Sequence, residues 1–185
     1  SYTIEYFEDI QGYAASFTTV LFDTNVQGEV SYKTDAPVVL LSGEPVPGDI
    51  AAYQLGGSYV LEPTRLWDDA VIVFELAGAY VTSEDSADLV FDDHGTVVNM
   101  RLELSYLNLA QGLDLKVPIF LRRGLDGNIL ESEMVEDSSA VNITFQFIYL
   151  NNFITSVGYS NFFDGGENTY INDRDNVSVN VSYSF

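Results

Sequence analysis

The segment Asn176-Val177-Ser178-Val179-Asn180-Val181-Ser182-Tyr183-Ser184-Phe185 alternates without a break. Every odd-numbered residue is aliphatic or aromatic, and every even-numbered one is Asn or Ser. Successive side chains of a β-strand point to opposite sides, so this period of two builds a strand with one apolar and one polar face. The pattern returns in Asn142-Ile143-Thr144-Phe145-Gln146-Phe147, with Tyr149 continuing the apolar side. It returns in Met100, Leu102, Leu104 and Tyr106, separated by Arg101, Glu103 and Ser105, and in Leu115, Val117, Ile119 and Leu121, with Lys116 and Arg122 opposite. Looser alternation covers residues 13–21, 26–32, 51–61, 72–80 and 153–163, and residues 1–7 read as the end of another strand. The sum is about ten strands of roughly 9–11 residues, the length that crosses a bilayer at a tilt.

The connections carry a second signal. Read back from Phe185, residues 164–175, 123–138, 83–96 and 41–49 form long connections. Between them fall the short 150–152, 110–114 and 23–25 and the intermediate 62–69, while the first connection, 8–11, is short and departs from the parity. Membrane barrels carry short turns at one rim and long loops at the other. A soluble β-sandwich also alternates along its strands, so the period alone leaves both open. The loop parity and the tyrosines near strand ends favour an all-β, antiparallel up-and-down transmembrane β-barrel. Gly43, Pro45, Pro47, Gly48, Gly124, Gly127, Gly165 and Gly166 punctuate the long connections. Pro118 interrupts a strand and predicts a bulge or a local break in pairing. No linker divides the chain, so residues 1–185 read as one body of barrel strands.

Composition sets outer bounds. The 185 residues are 46% hydrophobic and 14% aromatic, which is too apolar for a disordered tail. Acidic residues outnumber basic ones 28 to 7, for a net charge of -21. That argues against nucleic acid as a partner, because phosphate binding needs clustered Lys and Arg. It argues equally against a polybasic membrane-surface protein. The chain has no cysteine, which removes disulfides, thiolate metal sites and cysteine nucleophiles. No stretch approaches the roughly 18 unbroken apolar residues of a membrane helix.

Two resemblances sharpen this reading. Tyr183 and Phe185, at the end of an alternating strand, resemble the terminal signal by which bacterial outer-membrane barrels are handed to their assembly machinery. Tyr6-Phe7-Glu8-Asp9-Ile10-Gln11-Gly12-Tyr13, Gly28-Glu29-Val30-Ser31-Tyr32-Lys33 and Asn172-Asp173-Arg174-Asp175 running into Val181-Ser182-Tyr183-Ser184-Phe185 carry the second. With their spacing, they resemble the C-terminal part of the proteobacterial outer-membrane barrel family catalogued as domain of unknown function thirteen-zero-two. The resemblance implies a longer protein with further strands before this region, so that the chain is part of a larger barrel. Members of that family tend to be linked with the handling of hydrophobic compounds.

The residues that stand out chemically are the charges on strands. Glu75, Arg101, Glu103, Lys116 and Arg122 fall opposite the apolar positions and are expected to face the lumen, because a charge turned to hydrocarbon costs a few kcal/mol. They read either as a pore lining that selects solutes or as an ion-pair network that braces the barrel. His94, the one histidine, lies in an acidic loop with serines nearby, but no nucleophile elbow accompanies it, so no catalytic residue is assigned. Acidic clusters occur at Glu84, Asp85, Asp88, Asp92 and Asp93, at Glu131, Glu133, Glu136 and Asp137, and at Asp164, Glu167, Asp173 and Asp175. None has the spacing of a calcium loop, so they read first as solvated loops and second as loose Ca²⁺ or Mg²⁺ bridges to lipopolysaccharide phosphates, and no metal or cofactor is assigned. The sequons at Asn142, Asn176 and Asn180 lie in strands and read as polar lumen residues.

The expectation is therefore a bacterial outer-membrane channel or transporter for small or hydrophobic solutes. It would be embedded in lipid and lipopolysaccharide and handled by the barrel assembly machinery. The alternative is a non-conducting structural or anchoring barrel that contacts another envelope protein. A minor alternative is a lipid-modifying enzyme at the rim.

Overall fold

The computed structural model describes residues 7–83, 88–129, 134–166, 169 and 171–185. Among these residues nine strands form one antiparallel sheet in which each strand pairs with its neighbours in chain order. In order they are β1 (Gln11–Leu21), β2 (Thr24–Val39), β3 (Pro45–Leu61), β4 (Asp69–Val81), β5 (His94–Ala110), β6 (Leu113–Asp126), β9 (Ser139–Tyr149), β10 (Phe153–Phe163) and β11 (Asn176–Tyr183). A small ribbon, β7 (Asn128–Ile129) with β8 (Met134–Val135), interrupts the β6–β9 connection. β1 and β11 are the two edges, so the sheet is open. The strand expected over residues 1–7 lies outside the described residues except for Phe7, which is not in a strand.

A meander places alternate connections at opposite ends. The short links after β1, β3, β5 and β9 share one end, and those after β2, β4, β6 and β10 share the other. Turn chemistry suits the short end. Phe22 and Asp23 have φ of 49° and 62°, and Leu150 and Asn151 have φ of 51° and 60°. Paired positive φ values give the turn whose twist matches that of the flanking strands.

The strands are longer than the alternation predicts. β2, β3 and β5 run for 16, 17 and 17 residues. Residues expected in the 41–49, 83–96 and 123–138 loops are drawn into strands from the long-loop end. The β2–β3 hairpin shows how prolines permit this. The Leu40 amide donates to the Glu44 carbonyl at 3.0 Å. Hydrogen-bonded and non-bonded pairs alternate along an antiparallel ladder. Val39 with Pro45 and Pro37 with Pro47 therefore fall on pairs that need no amide. Pro118 behaves as its sequence position predicts: β6 pairs with β9 at Lys116 and again at Ile119 in the same register, and the ladder lapses between them.

Among the described residues the sheet has no second layer. No large side chain is fully buried among the described residues, and Phe17, Val30, Phe74, Phe145 and Val179 are all exposed. A compact chain of 20.5 kDa exposes about 8,800 Å², whereas this one exposes 12235 Å². What packing exists gathers at the long-loop end, where Ala36, Val38, Ala79, Leu89, Val97, Ile129 and Val135 are buried. The ribbon presses on β5 at Gly95, where a Cβ would lie 2.4 Å from Ile129 Cγ2.

The tightest backbone crossing is at Gly124, whose amide donates to the Ser138 carbonyl at 2.8 Å. A Cβ there would come within 1.7 Å of the Val135 carbonyl oxygen, whereas one on Gly12 would meet nothing within 4 Å. Gly124→Ala is expected to destabilise by about 1–3 kcal/mol, and Gly12→Ala to stay within about 0.5 kcal/mol of the parent. Denaturant unfolding of the two variants side by side checks this; equal midpoints would contradict the packing.

Candidate functional site

Residues paired across a sheet share a face, so the ladders fix which side chains sit together. Glu75 pairs with Gly56 and Asn99, and Asn99 with Arg122. Arg101 pairs with Val73 and Phe120, Glu103 with Val71 and Pro118, and Ser105 with Lys116. Through β9 and β10 the same face reaches Asn142, Gln146, Ser156 and Ser160, and on β11 it reaches Asn176, Ser178, Asn180 and Ser182. Through β3 and β2 it takes in Gln54, Gln27, Glu29 and Lys33, and on β1 Ser16 and Thr18. All five charges singled out from sequence thus share one face, as do the three sequon asparagines.

The opposite face is apolar. Charge reaches it only at its long-loop margin, through His94, Arg123 and Asp126, among the described paired positions. The tyrosines of the nine strands all belong to it and fall in two belts. Tyr13, Tyr32, Tyr53, Tyr80 and Tyr159 lie toward the long loops. Tyr59, Tyr106, Tyr149 and Tyr183 lie toward the short turns. Between the belts the face is mainly Val, Leu, Ile and Phe, with Val98, Leu102, Ile119 and Ile143 on adjoining strands.

On the polar face the charges are organised. Glu103 accepts from Arg101 Nη2 on its own strand at 2.5 Å and from Lys116 Nζ across the ladder at 3.3 Å. Glu75 has neutral partners, Gln54 Nε2 at 2.5 Å and Asn99 Nδ2 at 3.0 Å. The Oδ1 of Asn99 is buried without a partner among the described residues. Asn142 donates to Ser160 Oγ at 2.8 Å, which uses a sequon amide for cross-strand bonding.

This chain belongs to the family described as Protein of unknown function (DUF1302). That family matches residues 1–185, the whole of the sequence. No curated protein and no solved structure matches the chain. The family's description names no activity, so the chemistry is argued from the residues themselves.

Sequence reasoning missed Arg123. Its Nη2 lies 2.6 Å from Asp137 Oδ1, and its Nη1 lies 3.3 Å from Asp164 Oδ2 and 2.8 Å from Ser139 Oγ. One guanidinium therefore ties the β8–β9 and β10–β11 connections to the end of β6. Its signal was its place one residue beyond Arg122, which puts it on the other face. Asp175 ties the β10–β11 connection a second time. It accepts from the Phe162 amide at 3.0 Å, from Tyr159 Oη at 3.1 Å and from Asn161 Nδ2, and the Phe162 amide is the main reason its carboxyl lies below the usual carboxylate range. Of the acidic clusters, Glu84, Asp85, Glu131, Glu133 and Glu167 lie outside the described residues. Among the described residues no three His, Asp or Glu side chains converge as a metal site would require. Tyr183 and Phe185 sit together at the end of edge strand β11, with ring centroids 6.4 Å apart.

His94 stands at the long-loop end of β5, outside the alternating stretch. Its Nδ1 lies 2.7 Å from Asp93 Oδ1 and its Nε2 lies 3.2 Å from Asp126 Oδ2, and its ring stacks on Tyr80 at 6.0 Å. The hydrogen bond to Asp93 is the largest influence and raises its pKa above 6.5, with burial opposing and Asp126 adding to the rise. A raised folded pKa means the clasp stabilises fully below 6.5 and loses that contribution as pH climbs through the raised value. As the one histidine, its ring resonances in an NMR titration report it without ambiguity. Its midpoint is expected above 6.5 and to fall in Asp93→Asn; a midpoint at or below 6.5 that ignores Asp93→Asn would contradict the clasp.

Proposed function

We propose that the chain forms part of a transmembrane β-barrel in a bacterial outer membrane. In this reading the apolar face lies against lipid, and the polar face lines a path for small or hydrophobic solutes. The observation that carries it is the sorting of charge. Glu29, Lys33, Asp69, Glu75, Arg101, Glu103, Asp114, Lys116 and Arg122 share one face, across strands β2 to β6. The apolar face is exposed at Phe17, Val30, Leu55, Phe74, Phe145, Val157 and Val179 and half-buried through the middle of the sheet, with Ala70 and Val117 buried on it. An uncovered apolar surface of that extent needs an apolar partner. A bilayer supplies one without a complementary protein surface. Two tyrosine belts around an aliphatic band match the girdles that sit at headgroup level.

The same reading accounts for the unusual strand lengths. About 9–11 residues cross the hydrocarbon, so the ends of the 17-residue β3 and β5 would stand clear of it on the long-loop side. Bare edges do not persist in hydrocarbon, so β1 and β11 would pair with further strands or with each other. Tyr183 and Phe185 would serve assembly by the barrel machinery, and the acidic loops would meet lipopolysaccharide.

A second reading rests on the Arg101–Glu103–Lys116 cluster. If that cluster is packed shut, the barrel is a non-conducting structural or anchoring element that contacts another envelope protein. An enzymatic rim gains least support: both ring nitrogens of His94 are engaged by carboxylates, and no serine contacts it among the described residues.

Planar-bilayer conductance of the parent, Arg101→Gln and Glu103→Gln separates the readings. A channel predicts an open parent and shifted ion selectivity in the variants with little change in folding. A brace predicts no conductance in any of them and a loss of about 3–5 kcal/mol where one partner is left buried alone. The second outcome would overturn the channel.

A further inference from the structure

At the long-loop end of the polar face, a cavity of about 340 Å³ opens between the sheet and the loops beside it. Phe120 and Arg122 of β6, Ala140 of β9 and Phe162 of β10 form its sheet side, brought together by the β6–β9 and β9–β10 ladders. Val135 of the ribbon and Ile171 of the β10–β11 connection lie on its loop side. The volume is at the small end of ordinary ligand sites.

Its electrostatics set it apart from the rest of the molecule. Among the described residues no carboxylate lines this cavity, although the chain has 28 acidic residues. Among the described residues the one charged lining group is Arg122. Arg101, Lys116 and Arg123 all have carboxylate partners, but the side chain of Arg122 makes no ion pair and no hydrogen bond among the described residues. Its cross-strand neighbour Asn99 holds a buried oxygen without a partner. A guanidinium has five donors, so it can serve that oxygen and still present a fork to a second acceptor. Phe120 is adjacent to it on the same face of β6, and Phe162 lies across β9.

We propose that this cavity binds a small amphipathic monocarboxylate, an anion with an aromatic or short aliphatic body. Arg122 takes the carboxylate in a two-bond fork, the geometry a guanidinium matches best. Phe120, Phe162 and Ile171 cover the apolar body. A single cation suits one negative charge better than a doubly charged phosphate, which draws several basic groups. The overall charge of -21 does not forbid this, since screening at physiological salt reduces fields beyond about 8 Å and leaves the local cation to decide. The site stands whether or not the polar face lines a pore.

The test uses the full chain in uncharged maltoside micelles, with protein-free micelles as the background. Calorimetric titration compares phenylbutanoate with phenylbutanol, its neutral counterpart. The parent is expected to bind the carboxylate saturably and the alcohol roughly tenfold more weakly or worse. Arg122→Gln is expected to lose about tenfold in carboxylate affinity and little for the alcohol, and Arg122→Lys to keep part of the preference. Equal binding of acid and alcohol, or no saturable binding to the parent, overturns the proposal. So does a carboxylate affinity untouched in a folded Arg122→Gln. If that variant does not fold, the acid-to-alcohol ratio on the parent and on Arg122→Lys still decides.

Discussion

The antiparallel ladder is the constraint on which everything else depends. A single-layer sheet has no core to choose its register, so each side chain's surroundings follow from which residue it pairs with. A slip of one residue in any ladder would turn a strand's polar-face residues onto the apolar face. The turns and irregularities hold the pairing in place. Paired positive φ values at Phe22–Asp23 and Leu150–Asn151 fix two hairpins at their tips. The bulge between Lys33 and Ala36, with Asp35 at φ 55°, absorbs an offset where β2 leaves the alternating region. Asp49, opposite it, accepts from Tyr32 Oη at 2.9 Å and steadies that departure.

Beyond the alternating region a different logic takes over. The long-loop end holds most of the buried apolar side chains and the ties made by Arg123, Asp175 and His94. By register Ala79, Gly95 and Val97 belong to the polar face, and the ribbon's Ile129 meets Gly95 there. The connections at this end therefore fold in over the polar face. That arrangement creates the cavity around Arg122. Under the proposed membrane placement, it would narrow one mouth of the path.

The fold was legible from sequence wherever two environments compete for alternate residues. Under the proposed membrane placement Val179 and Asn180 of β11 meet different surroundings, so the period is written into the residues. The same holds for Leu102 between Arg101 and Glu103. Legibility fails where that competition stops. The outer parts of β2, β3 and β5 mix polar and apolar residues without strict period, because both sides of a strand there meet loops or water. Those residues read as loop but pair as strand. The polar-face charges were readable by parity, but their partners were not. Nothing in the spacing says that Glu75 bonds two amides while Glu103 bonds two cations, since that depends on cross-strand register. Arg123 was missed for the same reason: its partners Asp137 and Asp164 are distant in sequence and are brought close by the hairpins on either side of β9.

The central claim is that one face of this sheet meets lipid and the other an aqueous interior. The most direct measurement is a single-cysteine scan along β9, residues 141 to 149, in a chain that has no native cysteine to confuse it. Each site carries a spin label in reconstituted bilayers and is relaxed in turn by a lipid-soluble and a water-soluble agent. The account predicts a period of two with opposite phases. Val141, Ile143, Phe145 and Phe147 should respond to the lipid-soluble agent, and Asn142, Thr144 and Gln146 to the aqueous one. Equal response of both sets to the aqueous agent, or a response to the lipid-soluble agent at Thr144 and Gln146, would contradict it.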